Sequence, residues 1–216
     1  MPRRLTKIDE LTSPDHYRLE ASDDCYFIGE YTPRAGYNHS ATNDLILNLK
    51  KEMDRRHLPE WRYKTWAIEQ ASKQLREVLP PDTLEEATFI PVPPSKAKTD
   101  PLYDDRVVQI LSGLGEDVDV RDAVTQGESY DPSHALEVRL GPDELYQLYE
   151  LDDEYLEPLP TSLVIVDDVL TTGAHFKAMK RLLNEAFPEV PIIGVFVARR
   201  VLPHPVVPVA PLSTRR

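Results

Sequence analysis

The segment LVIVDDVLTTGAHFKAMKRLLNEAFPEVPIIGVFVA, residues 163–198, leaves few folds open. Its first and last stretches, residues 163–166 and 191–198, are continuous apolar runs rich in Val and Ile. Strands too apolar to turn either face to water belong to parallel sheets with both faces covered. Between them, residues 174–186 repeat at helical spacing: Phe176, Met179, Leu182, Leu183 and Ala186 on one face, Lys177, Lys180 and Arg181 on the other, where they are expected to stay wet. Pro188 ends this helix before the second strand. A strand, a helix and a strand with short connections form a parallel crossover unit. The expected class is therefore α/β, with a central parallel sheet flanked by helices.

The rest of the chain adds further elements of the same kind. A strand within DDCYFIGEYTP stops at Pro33, and a helix over residues 45–56 follows capping oxygens on Thr42, Asn43 and Asp44, with Leu45, Ile46, Leu49 and Met53 on one face. A second helix over 61–79 follows Pro59, with Trp61, Ile68, Leu75 and Leu79 at helical spacing. Residues 88–92 form a short strand that Pro93 and Pro94 break into a polar loop holding Lys96 and Lys98. A short helix over 104–114, a short strand over 118–124, a long mobile loop over 125–135 and a helix from Pro142 come next. The acidic run ELDDEYLE reads as a solvated helix end or loop. At 216 residues the chain supports one sizeable core, predicting one domain over 1–202 and an extended tail over 203–216. In that tail the prolines of PHPVVPVAPL exclude helix and withhold sheet donors.

Composition removes several classes of function. A formal net charge of -12 repels polyphosphate chains and disfavours nucleic acid, yet a few oriented amides and lysines still hold a small anion at close range. No stretch is apolar enough to cross a bilayer, and the start MPRRLTKIDELT lacks a secretory pattern, so a cytoplasmic location is the expectation. The single cysteine, Cys25, excludes a disulfide framework or multi-cysteine zinc site and reads as a buried thiol. His39, His57, His134, His175 and His204 show no metal-ligand spacing and read as surface or structural residues. Arg199 and Arg200 end a strand near the ligand edge, where pairing with acidic neighbours is the plainer expectation.

The chemistry concentrates where the first apolar strand meets its helix. Ligands of open α/β sheets sit beyond the carboxyl ends of the strands, where Asp167 and Asp168 emerge. Adjacent carboxylates repel, and they are tolerable if they serve different partners, such as a ribose diol and a magnesium ion. Thr171, Thr172 and Gly173 then bring hydroxyls and backbone amides to a helix N-terminus, a cradle for phosphate, with Gly173 allowing close backbone approach.

VIVDDVLTTGAH resembles the phosphoribosyl pyrophosphate motif of type I phosphoribosyltransferases over residues 163–174, with His175 where the family commonly has Thr, Ser or Ala. FIPVPPSKAK resembles the family's pyrophosphate loop, and YFIGEY, LILNLKK and PVPPSK with YDDR are similar to its ComF-type branch, without that branch's zinc ribbon. The resemblance implies a type I phosphoribosyltransferase-like sheet, a small N-terminal hood and magnesium as cofactor. It implies that Asp167 and Asp168 hold the ribose hydroxyls and the metal, and that Thr171, Thr172, Gly173, Ala174 and the His175 amide bind the 5′-phosphate. It further implies that Ser95 and Lys96 face pyrophosphate, with Lys98 and Arg106 as added charge partners. The partners implied are phosphoribosyl pyrophosphate and a small acceptor base, with a homodimer left open. A non-catalytic sensor of the same sugar phosphate is the alternative. Tyr26, Tyr31, Tyr37 or Trp61 could stack on the acceptor ring.

Overall fold

A computed structural model describes residues 3–127, 129, 140–155 and 157–202. The elements in chain order are β1 (Thr6–Lys7), β2 (Cys25–Tyr31), α1 (Ala41–Leu49), α2 (Trp61–Val78), α3 (Pro81–Glu86), β3 (Thr88–Pro91) and α4 (Arg106–Ser112). They continue with β4 (Val124–Gln126), α5 (Pro142–Leu148), β5 (Tyr149–Leu151), β6 (Leu163–Leu170), α6 (Ala174–Ala186) and β7 (Ile192–Arg200). Five strands form the main sheet in the order β1-β2-β7-β6-β3, and β4 pairs with β5 in a second sheet. From β2 to β3 every pairing is parallel, and only β1 is antiparallel to its neighbour. The molecule is thus α/β with a mostly parallel central sheet.

The apolar runs of β6 and β7 fill both faces of this sheet. On one face Val164, Val166, Val195 and Val197 meet Leu45, Ile46 and Leu49 of α1, Ala67, Ala71 and Leu75 of α2, and Ile110 and Leu111 of α4. On the other, Ile165, Phe196, Cys25 and Phe27 meet Phe176, Met179 and Leu183 of α6, with Val124, Leu145 and Tyr149 beside them. Phe176 and Phe196 pack edge to face at 6.4 Å. Burial of this apolar area on both faces is what makes continuous apolar strands stable here. Cys25 is fully buried, and burial pushes its thiol up, the inert behaviour expected of it.

Several elements depart from the sequence expectation. β2 is an inner strand of the main sheet, and α1 and α2 cover one of its faces, so these elements belong to the core. Helix α1 starts at Ala41, because Ser40 rather than Thr42, Asn43 or Asp44 caps it, its hydroxyl accepting from the Asn43 amide at 3.0 Å. It ends at Leu49, so Lys50 and Lys51 leave the helix and Met53 falls in a separate 3₁₀ turn. Val120 makes one bridge to Phe89, and the strand expected over 118–124 begins only at Val124. Thr125 and Gln126 lie in β4, while most of the remaining loop expected to 135 lies outside the described residues. Tyr149–Leu151, which overlaps the start of the acidic run, is a strand because its backbone groups pair with β4. The proline-rich tail, residues 203–216, is also outside the described residues.

The segment before β2 wraps the start of α6. Asp23, whose side chain is wholly buried, receives Lys177 at 2.9 Å and Lys180 at 2.7 Å, so these two lysines are clamps rather than wet surface groups. The backbone amide of Arg18 donates to Thr172 O at 2.9 Å, and His16 Nδ1 pairs with Thr171 O. Gly173 has φ +92, and a Cβ there would lie 2.7 Å from Leu19 Cδ2. The missing Cβ at this glycine thus lets Leu19 pack close against the turn.

Candidate functional site

Strand β6 runs four residues beyond its β3 partner. The β3–β6 ladder ends at Pro91 opposite Val166, whereas β7 pairs with β6 on through Asp167, Val169 and Leu170. Pro93 and Pro94 cannot extend the β3 ladder. Asp167 and Asp168 therefore lie within β6, not after it, with one flank still paired and the other opening on a cleft. That cleft has a volume of about 210 Å³, below the usual ~300–1,000 Å³ of pockets for drug-sized molecules and suited to a small polar ligand.

Of the expected site residues, Ser95, Arg106, Asp167, Asp168, Thr171 and His175 line this one cleft. The others are placed differently. Thr172, Gly173 and Ala174 are buried behind it, with the Thr172 hydroxyl 3.4 Å from the Ala174 amide. Lys96 lines an adjoining hollow of about 540 Å³, bounded also by Lys51, Met53 and Leu102. Lys98 is turned to Asp122 at 2.7 Å. Arg199 follows the plainer expectation, bonded to Glu30 and Asp15.

Lys50, Tyr103, Asp104, Asp105 and Asp122 also line the cleft; all but Asp122 fall in motifs that carried the resemblance, yet none was given a site role from the sequence. Lys50 was hidden by an expected helix that runs on to residue 56; in fact the backbone turns at Lys50 and sends its ammonium to Asp168 Oδ1 at 3.3 Å. Arg106 Nε donates to Asp168 Oδ2 at 2.7 Å, and its Nη1 to Asp104 Oδ2 at 2.9 Å. Arg106 was expected to wait for a leaving group, but here it is a partner of the acidic pair. Helix α4 begins at Arg106, so Asp104, expected to open it, lies before it with Tyr103. Burial, with Asp122, Asp105 and Asp104 around it, pushes the Tyr103 phenol up to about 12.

The two carboxylates have opposite electrostatics. Asp168 is 1% exposed; against the cost of burial, Arg106 and Lys50 hold it well below the usual carboxylate range. Burial and the neighbouring Asp168 charge push Asp167 up to about 7. Among the described residues no cation lies within ion-pair distance of Asp167, whose Oδ1 accepts the Asp168 amide at 2.7 Å. The pair can thus offer one fixed carboxylate and one group that exchanges its proton near neutrality.

His175, read from sequence as surface or structural, enters the cleft from the first turn of α6. Its Nδ1 is 2.6 Å from Tyr149 Oη. Burial and the nearby Lys50 push it down to about 4, so it is a neutral imidazole at pH 7, with one ring nitrogen a donor and the other an acceptor. His16, unweighed in the sequence, is fully buried and holds the Thr171 carbonyl.

Among the described residues no group of three or more His, Cys, Asp or Glu side chains is disposed to hold a metal ion. The cleft's donor set still fits a magnesium ion that arrives on a phosphate ligand, since that ion keeps several waters and takes one or two carboxylates. Asp167 is the carboxylate without a cationic partner, and Asp168 the one beside it. No helix among the described residues is long and apolar enough to cross a membrane.

No protein-family model matches the chain, and no curated protein matches it.

Proposed function

We propose that this chain binds phosphoribosyl pyrophosphate, with magnesium, and transfers phosphoribose to or from a small nitrogenous acceptor, in the manner of a type I phosphoribosyltransferase. The observation that carries the reading is the convergence of an acidic pair and two cations on one cleft, at the mouth of a strand that turns through Thr171, Thr172 and Gly173 into α6. The first turn of α6 has no acidic residue and no side-chain cap, so its amides and dipole favour an anion such as the 5′-phosphate.

On this reading Asp167 and Asp168 face the ribose hydroxyls. Positive charge that develops at the anomeric carbon as the bond to pyrophosphate breaks is stabilised by the Asp168 carboxylate, which the protein keeps ionised. Lys50 and Arg106, released in part from Asp168, take up the negative charge of the departing group, and Ser95 lies beside them. Bound magnesium would neutralise pyrophosphate charge. His175, uncharged, supplies a hydrogen bond without a competing charge.

A second reading, a sensor that binds the sugar phosphate without turnover, is favoured by one observation: both oxygens of Asp168 are already engaged, by Lys50 and Arg106. Incubation with phosphoribosyl pyrophosphate, magnesium and a panel of purine and pyrimidine bases separates the two. Release of pyrophosphate with one base supports the enzyme, binding with no release on any base supports the sensor, and absence of binding contradicts both.

A further inference from the structure

Lys64 lines no part of the cleft, yet it carries a charge in the core. It is 1% exposed and sits on the same stripe of α2 as Ala67, Ala71 and Leu75, all fully buried. An apolar residue would continue that stripe and spare the desolvation of an ammonium. Instead the Lys64 Nζ uses all three protons, donating to Leu49 O at 2.8 Å, Lys51 O at 2.8 Å and Asp104 Oδ2 at 2.7 Å. The Trp61 ring lies 5.3 Å away.

Both sets of bonds lead to the acidic pair. The carbonyls of Leu49 and Lys51 bracket Lys50, so they fix the turn that directs its ammonium to Asp168 Oδ1. The same Asp104 oxygen accepts Arg106 Nη1 at 2.9 Å, and Arg106 Nε reaches Asp168 Oδ2 at 2.7 Å. Cutting at Lys64 would loosen both cations together, although neither touches it.

We propose that Lys64 is a positioning residue that sets Lys50 and Arg106 on the two oxygens of Asp168, so that the cationic wall of the cleft is preformed for a phosphate-bearing ligand. The identity of that ligand rests on the phosphoribosyl pyrophosphate reading; the linkage from Lys64 to Arg106 does not. A role confined to capping the end of α1 would affect stability and leave the Arg106 guanidinium where it is.

The test is Lys64→Met, of similar length and uncharged, in ¹⁵N-labelled full-length protein, read first by the Arg106 Nε–H resonance, which Arg106→Lys identifies by its disappearance. In the parent protein this proton is expected to exchange slowly with water. In folded Lys64→Met its exchange is expected to be at least about tenfold faster, and magnesium pyrophosphate affinity by calorimetry to fall by about tenfold, as when an outer-shell partner of a bound group is lost. Unchanged Arg106 Nε–H exchange in a folded variant overturns the proposal. If the parent protein binds neither pyrophosphate nor phosphoribosyl pyrophosphate, the ligand reading fails, while the exchange rate still decides the linkage. If Lys64→Met does not fold, Arg106→Lys supplies the second reading: the Lys64 ammonium resonance must shift when Arg106 is replaced, and an unmoved resonance overturns the proposal.

Discussion

Asp167 and Asp168 are neighbours in sequence with opposite electrostatics, and the difference lies in what each touches. Buried Asp168 holds two cations, so Asp168→Asn removes the counter-charge of half-buried Arg106 and of Lys50; the expected loss is about 3 kcal/mol in urea unfolding, at the lower end because Asp104 still pairs with Arg106. A raised carboxyl behaves oppositely: the Asp167 contribution to stability is full below its unfolded value near pH 4 and is lost as pH rises to about 7. Asp167→Asn, which imitates the neutral acid, should therefore stabilise the protein by about 1–2 kcal/mol at pH 8 and by little at pH 4, measured by denaturant midpoints. His175 works in the other direction, its contribution being present above pH 6.5 and lost as pH falls to about 4. NMR titration of the imidazole should show no protonation of His175 down to about pH 5, and a midpoint near 6.5 would contradict its placement against Lys50 and Tyr149.

At the scale of elements, the turn from β6 into α6 is the part whose form is most tightly specified. Gly36 and Gly173 both have positive φ, but a Cβ at Gly36 would meet open space, whereas one at Gly173 would run into Leu19. Gly36→Ala should cost about 1–3 kcal/mol, the strain of a positive-φ extended backbone that side chains rarely adopt, and Gly173→Ala clearly more, because the wrapping segment must also be displaced. Equal losses for the two in matched unfolding experiments would show that Leu19 does not press on the turn. The helix over 174–186 and its flanking strands were legible because apolar periodicity and the proline break all point one way. The end of α1 was not, because Lys50 and Lys51 look like the basic last turn of a longer helix, and what stops the helix is a buried lysine fifteen residues from Leu49 in the chain. The strand at Tyr149–Leu151 was hidden for a similar reason: its partner β4 lies across a long connection, and an acidic sequence gave no local sign of pairing.

For the whole molecule, a parallel sheet covered on both faces carries the acidic pair to one edge, where β3 stops short and leaves a cleft. Local sequence placed Asp167, Asp168 and Thr171 in a common site because strand ends and phosphate turns have local signatures, and Ser95 was added by the family resemblance. Arg106 was expected as a charge partner, but its seat on Asp168, shared with Lys50 and backed by Asp104 and Lys64, depends on contacts between distant segments. That β2 is an inner strand of the main sheet was hidden for the same reason: a strand pattern does not say which position in a sheet receives it. The most direct test of the central claim is calorimetric titration of the folded protein with phosphoribosyl pyrophosphate in magnesium buffer, alongside ribose 5-phosphate and inorganic pyrophosphate. The account predicts saturable binding of the full ligand, tighter than either fragment and weakened by Asp168→Asn; no heat from any of the three, with the protein shown to be folded, would contradict it.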